Sequence, residues 1–148
     1  MQNKLKLNTL ENLEKNIWTL SNVDEESYLI KTCNKLRKKQ LIDFTIEDLR
    51  IMISQNMGLK YLIPIAIEIL NENILAEGDY YEGDLLSAVL SSDVKFWKED
   101  KTNYKTFFEL FQKNDSILKN CDSTWEIKKN WFELFKEFGE INSYSSNL

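Results

Sequence analysis

"FTIEDLRIMISQNMGLKYLIPIAIEIL", residues 44–70, decides the fold. Leu49, Met52 and Ile53, with Ile46 one turn earlier, recur at the spacing that puts them on one helical face. Thr45 followed three residues later by Asp48 is a capping-box-like start, and Gly58 can take the left-handed conformation that ends helices. A second helix follows at once. Pro64 is compatible with it if the helix begins near Lys60 or Tyr61, because first-turn N–H groups lack intrahelical acceptors anyway. From Leu62 to Leu70 the chain is apolar on most sides, which predicts the central helix of a core. The apolar run is interrupted by Pro64 and Glu68 and falls well short of the ~20 residues that span a bilayer. No membrane association is expected.

The same periodicity extends in both directions. "DEESYLIKTCNKLRKK" (24–39) has Asp24, Glu25 and Glu26 at one end and Lys35, Arg37, Lys38 and Lys39 at the other, with Leu29, Cys33 and Leu36 as its apolar stripe. That charge order complements a helix dipole, so the basic run reads as a solvated last turn rather than a nucleic-acid patch. "DLLSAVL" (84–90) pairs Leu85 and Leu86 with Val89 and Leu90, with Asp84 as its expected N-cap. "SDVKFWKED" is a short turn or helix. In "NYKTFFELFQKNDSIL" and "STWEIKKNWFELFKEFG" the aromatics Tyr104, Phe107, Phe108, Phe111, Trp131, Phe135 and Phe138 stand at core spacing. The last segment offers Ser123 with Glu126 as a capping box and Gly139 as a stop, and the tail "NSYSSNL" is expected to fray. With a short first helix in "TLENLEKNIW", the expectation is an all-α single domain over residues 1–148, of about seven helices joined by short loops.

Composition agrees. Four glycines and one proline in 148 residues are too few for a protein of many tight turns. Cys33 and Cys121 lie far apart in no metal-like spacing, and the start "MQNKLKLNTL" lacks the apolar run of a signal peptide; a reducing cytoplasm is the expected setting. There is no histidine. That removes Ser-His and Cys-His nucleophiles, His-ligated metals and the commonest general base at neutral pH.

The net charge of -5 is unevenly spread. Between Lys60 and Lys95 there is no basic residue, while Glu68, Glu72, Glu77, Asp79, Glu82, Asp84 and Asp93 supply seven negative charges. At their centre lies "LAEGDYYEGDLL" (75–86). An EF-hand loop needs Gly at its sixth position and Glu at its twelfth; counted from Glu77 these are Glu82 and Ala88, and from Asp79 they are Asp84 and Leu90. Neither register fits, and no metal or other cofactor is assigned. A pair of catalytic carboxylates needs one of them buried with a raised pKa, whereas a cluster of acids beside glycines is more often solvated. Phosphate binding needs positive charge, so nucleic acid is not expected here. Two readings remain from the residues alone. In one, Gly78 and Gly83 supply a turn and Asp84 caps the next helix; in the other, the tyrosines and acids form a protein-binding edge.

The order of the pieces "TLENLEKNIW", "SYLIKTCNKLRKK", "FTIEDLRIMISQNMGLKYLIPIAIEIL", "LAEGDYYEGDLL" and a final "FW" resembles the immunity proteins of contact-dependent growth inhibition (CDI) systems, over roughly residues 9–100. Residues 101–148 lie outside the resemblance as additional helices. Related sequences tend to carry proline where this chain has Ile74 and Glu82, which leaves the loop less constrained and more acidic. The resemblance implies a cytoplasmic antidote that binds the cognate CDI toxin domain, frequently a nuclease, without catalysis of its own and as a monomer in a one-to-one complex. Its expected toxin contacts are Glu77, Asp79, Glu82 and Asp84 with Tyr80 and Tyr81 as anchors; Glu47 and Asp48 come second, with helix capping as their first role. The alternatives are a small carboxylate or metal-dependent helical enzyme and a helical adaptor for another protein.

Overall fold

The computed structural model describes residues 2–19 and 27–142. The acids at 24–26 and the tail from 143 lie outside the described residues. The elements are α1 (Gln2–Lys6), α2 (Leu10–Glu14), α3 (Tyr28–Arg37), a 3-10 turn (Leu41–Asp43), α4 (Ile46–Ser54), α5 (Leu59–Glu72), α6 (Asp84–Leu90), α7 (Val94–Glu99), α8 (Lys101–Lys113), α9 (Asp115–Asn120) and α10 (Trp125–Glu140). The chain is all-α, but with ten α-helices among the described residues instead of about seven. The three extra ones have local causes. Residues 2–6 form a turn of their own, and Asp93 starts α7 by accepting from Lys95 N at 3.1 Å. Asn114 breaks the segment "NYKTFFELFQKNDSIL": its Nδ2 donates to Leu110 O at 2.9 Å, offering that carbonyl a side-chain donor at the point where α8 gives way to α9.

The helix starts follow local hydroxyl and carboxylate chemistry. Thr45 Oγ1 accepts from Asp48 N at 3.0 Å while Asp48 Oδ2 accepts from Thr45 N at 3.0 Å, the reciprocal box expected from the sequence and stabilising by about 1 kcal/mol. At α10 the cap is Thr124, accepting from Ile127 N, rather than Ser123. Gly139 does not stop α10, which runs on to Glu140; its bare Cα lets Phe108 Cε2 approach to 3.4 Å from where a Cβ would stand. Asn56, with φ +57°, is the left-handed residue after α4, and Gly58, with φ +62°, opens α5 instead of closing α4. Pro64 consequently sits inside α5, where it deprives the Lys60 carbonyl of its usual donor.

The hub of the core is α6, not α5. Every residue of α6 except Ser87 is buried, because α4, α5 and α10 all pack against this seven-residue helix. Helix α5 buries Leu59, Leu62, Ile63, Ala66, Ile67 and Leu70 but leaves Lys60, Glu68 and Glu72 on an outer face. Leu29, expected in the α3 stripe, is 41% exposed, while Cys33 and Leu36 are buried; burial pushes the Cys33 thiol pKa up, so it packs as an apolar group. The aromatic residues form a continuous stack between α7, α8 and α10. Phe111 lies 3.9 Å from Phe135, Tyr104 4.6 Å from Phe138, and Trp97 meets Phe138 edge-on at 4.9 Å. Buried residues from α2 to α10 join in one core cluster, so the helices beyond residue 101 share the core of the earlier ones. Among the described residues no helix is long and apolar enough to cross a membrane.

The basic end of α3 is solvated only in part: Lys35 and Lys38 are exposed, but Arg37 is not. Arg37 is 3% exposed: its Nη1 donates to Glu14, its Nη2 to Asn16 O at 2.5 Å, and its guanidinium lies 4.9 Å from the Trp18 ring centroid. Lys38 pairs with Glu11 at 2.7 Å and Lys39 with Asp48 at 2.6 Å. These contacts tie α3 to α2 and α4.

Candidate functional site

Helix α5 ends at Glu72, and Asn73 turns the chain by accepting from Leu75 N through its Oδ1 at 3.0 Å. Ile74 and Ala76 are buried, and so are Gly83 and Asp84 beyond it, so both ends of the following loop are pinned to the core. Glu77 and Glu82 then face each other across an isolated antiparallel bridge, and Gly83 N returns to Leu75 O at 3.2 Å. Residues 77–82 are a small lobe standing on this neck.

The lobe is organised from inside by Asp84. It is 3% exposed; its Oδ1 accepts from Gly78 N at 2.6 Å and its Oδ2 from Tyr80 N at 3.0 Å and, more weakly, Tyr81 N at 3.4 Å. The sequence expectation of an N-cap is corrected: Gly83 occupies the cap position with φ +86°, and this left-handed turn points the carboxylate of Asp84, the first residue of α6, back into the loop. A side chain at 83 is also excluded by contact, since a Cβ there would stand 2.2 Å from Trp131 Cζ2. Trp131 Nε1 in turn donates to Ser87 Oγ at 2.9 Å, the Tyr81 hydroxyl donates to the same oxygen at 3.0 Å, and Ser87 Oγ donates to Gly83 O at 3.3 Å. One hydroxyl thus uses its donor and both lone pairs to join α6, the loop and α10.

A second brace comes from α4. Arg50 donates to Glu47 from Nε at 2.7 Å and Nη2 at 2.6 Å, a two-point contact, and Glu47 Oε1 accepts from Asp79 N at 2.9 Å. The hydrogen bonds from Arg50 hold the Glu47 carboxyl below the usual glutamate range, and the same bonds raise Arg50. The bare Cα of Gly78 leaves room for this carboxylate, since a Cβ would fall 2.5 Å from Glu47 Oε1 and displace it. Arg50 Nε also lies 3.9 Å from Asp84 Oδ2, and its guanidinium stacks 4.3 Å from the Tyr80 ring centroid.

The six nominated residues therefore divide. Tyr80 is 71% exposed yet held from one side by Arg50, while Tyr81 is half-buried with its hydroxyl on Ser87. Glu77, Asp79 and Glu82 are exposed, and Asp84 is the buried organiser of the loop that presents them. Asp48 caps α4, as expected. The acidic run is also smaller in space than in sequence: Glu68 pairs with Lys6 at 2.9 Å, Asp93 caps α7 and Asp84 turns inward. Among the described residues, Glu72, Glu77, Asp79, Glu82 and Asp93 are the members of that run left exposed without an ion pair, Asp93 being engaged as the α7 cap, and among the described residues no three acidic or cysteine side chains are placed to hold a metal ion.

Arg50, Ser87 and Trp131 were not found by sequence reasoning. Arg50 had a local signal, since it follows Glu47 by three residues on one helix; the contact of Trp131 with Ser87 spans 44 residues and had none.

The chain matches a family model described as CDI immunity proteins over residues 12–107, about two thirds of its length, a span that contains the whole braced loop and the helices on either side of it. A search of curated proteins finds no match. A match of that extent places this chain in the family of CDI immunity proteins.

Proposed function

We propose that this protein neutralises the C-terminal toxin domain of its cognate CDI system by binding it, with no chemical step of its own. Family membership is the observation that carries the reading. The loop adds physical support. Exposed aromatic side chains are good interface anchors when they are already ordered, because the entropy of fixing them is then not lost on binding, and Tyr80 has that character: open to solvent on one side, with Arg50 stacked on the other. Around it Glu77 and Glu82 are like charges opposed across a bridge, a mildly unfavourable pair that a cationic partner relieves. A nuclease toxin, with a basic substrate cleft, fits that demand.

In this reading Glu77, Asp79 and Glu82 steer the encounter and Tyr80 anchors it, in a one-to-one complex burying on the order of 1,600 Å². Asp84 and Tyr81 act from within, by holding the loop. Neutralising Glu77 and Asp79 slows association and flattens its salt dependence, whereas Tyr80→Ala mainly speeds dissociation. The direct test is to co-express the chain with the toxin domain encoded beside it, scoring growth and co-purification. Restored growth with a recovered complex is the expected result; a toxin that stays lethal and never co-purifies would overturn the proposal.

A further inference from the structure

Between the loop and α10 runs a groove of about 270 Å³ whose walls come from the two parts of the chain. Tyr80, Tyr81 and Arg50 line one side, within the family match; Asn130, beyond it on α10, lines the other, with Ser54 and Ser91 between them. The two walls are tied together: Trp131, next to Asn130, is fully buried, donates to Ser87 and closes on Gly83, while Ser87 also receives Tyr81. Asn130 itself is exposed, and its amide makes no hydrogen bond among the described residues.

We infer that α10 is the second wall of the toxin-binding surface, with Asn130 as a specificity-determining contact for an uncharged, hydrogen-bonding loop of the toxin domain seated in this groove. This role for α10 rests on the toxin-binding reading of the loop. Its chemistry follows from the lining, in which serine hydroxyls, an amide and a guanidinium stand beside the tyrosine rings and Ala88. An incoming cation meets Arg50, and an incoming anion meets Asp84 and the Glu47 partner of Arg50, so neither sign is favoured inside. The charged part of the contact lies outside the groove, at Glu77, Asp79 and Glu82. Helix α10 thus gives this chain a means of discriminating its own toxin through residues outside the matched segment.

Asn130→Trp fills the groove from an exposed position, and its binding to the purified toxin domain encoded beside this chain can be read by biolayer interferometry, with a thermal melt as the check on folding. The expected result is at least about a ten-fold weaker complex, carried mostly by faster dissociation. Thr106→Trp, on exposed α8 surface outside the groove, should stay within about two-fold of the parent. If the tryptophan variant melts early, Asn130→Ala replaces it, with an expected loss of about five-fold from the missing hydrogen bonds. Parent-like binding by the Asn130 variant, alongside weakened binding by a Glu77→Gln, Asp79→Asn, Glu82→Gln triple variant, overturns this inference and leaves the loop reading standing. Parent-like binding by both overturns the loop reading too.

Discussion

Replacing Asp84 by alanine should cost far more than any other change to an acid in its loop, because the residue is almost wholly buried and the loop is bonded to it. The carboxylate holds two good hydrogen bonds, from Gly78 N at 2.6 Å and Tyr80 N at 3.0 Å, and a long one from Tyr81 N at 3.4 Å. Bonds to a charged acceptor contribute about 1.5–3 kcal/mol each, and donors left without an acceptor in a part-buried loop lose that in full. Counting the two good bonds at the low end gives about 3 kcal/mol, with the long bond and the weakened environment of Arg50 left out. Urea unfolding of a small domain has a slope of about 1–3 kcal/mol per molar, so the midpoint should fall by roughly 1–3 M. Glu82→Ala, an exposed acid two positions earlier with no ion pair among the described residues, is the control and should stay within about 0.5 kcal/mol. If Asp84→Ala and Glu82→Ala shift the midpoint equally, the carboxylate does not organise the loop and the reasoning fails.

Further predictions follow from the braces around it. Ser87→Ala leaves the Trp131 indole N–H and the Tyr81 hydroxyl without their shared acceptor and should destabilise by about 2 kcal/mol in the same urea assay. Gly83→Ala combines a left-handed backbone with a clash on Trp131 and should cost about 2 kcal/mol or more; in a Trp131→Leu background the clash is relieved but the dihedral strain is not, so a double-mutant cycle should show coupling of at least about 0.5 kcal/mol. Glu47 supplies a pH signature. Arg50 holds its folded pKa below the ordinary 4.5, so its stabilising contribution is complete above that value and lost as the pH falls through the folded pKa. The stability gap between the parent and Glu47→Gln should accordingly be constant near neutrality and narrow below pH 4.5.

The sequence was readable where structure depends on neighbours within one or two turns. The Thr45–Asp48 box, the inward faces of α4, α5 and α6, and the aromatic seams of α8 and α10 all follow from spacing. Boundaries slipped where two adjacent residues could do the same job: Thr124 capped where Ser123 was expected, and Asn56 took the left-handed turn expected of Gly58. The loop was legible as a concentration of acids and tyrosines, but not as a braced object. Which way Asp84 points depends on the dihedral angle of Gly83, and Gly83 is held at that angle in contact with a tryptophan far along the chain. The charge map misled for the same reason: a stretch without basic residues in sequence acquires Arg50 from α4 and Lys6 from α1 once folded.

The most direct test of the central claim, that a rigid acidic loop receives the toxin, is the association rate of the toxin domain measured across ionic strength for the parent and for the Glu77→Gln, Asp79→Asn, Glu82→Gln variant. The parent should associate quickly at low salt and slow markedly as salt screens the charges over a Debye length of ~10 Å at 0.1 M, while the variant starts slower and responds weakly. Identical rates and identical salt slopes for the two proteins would contradict the account.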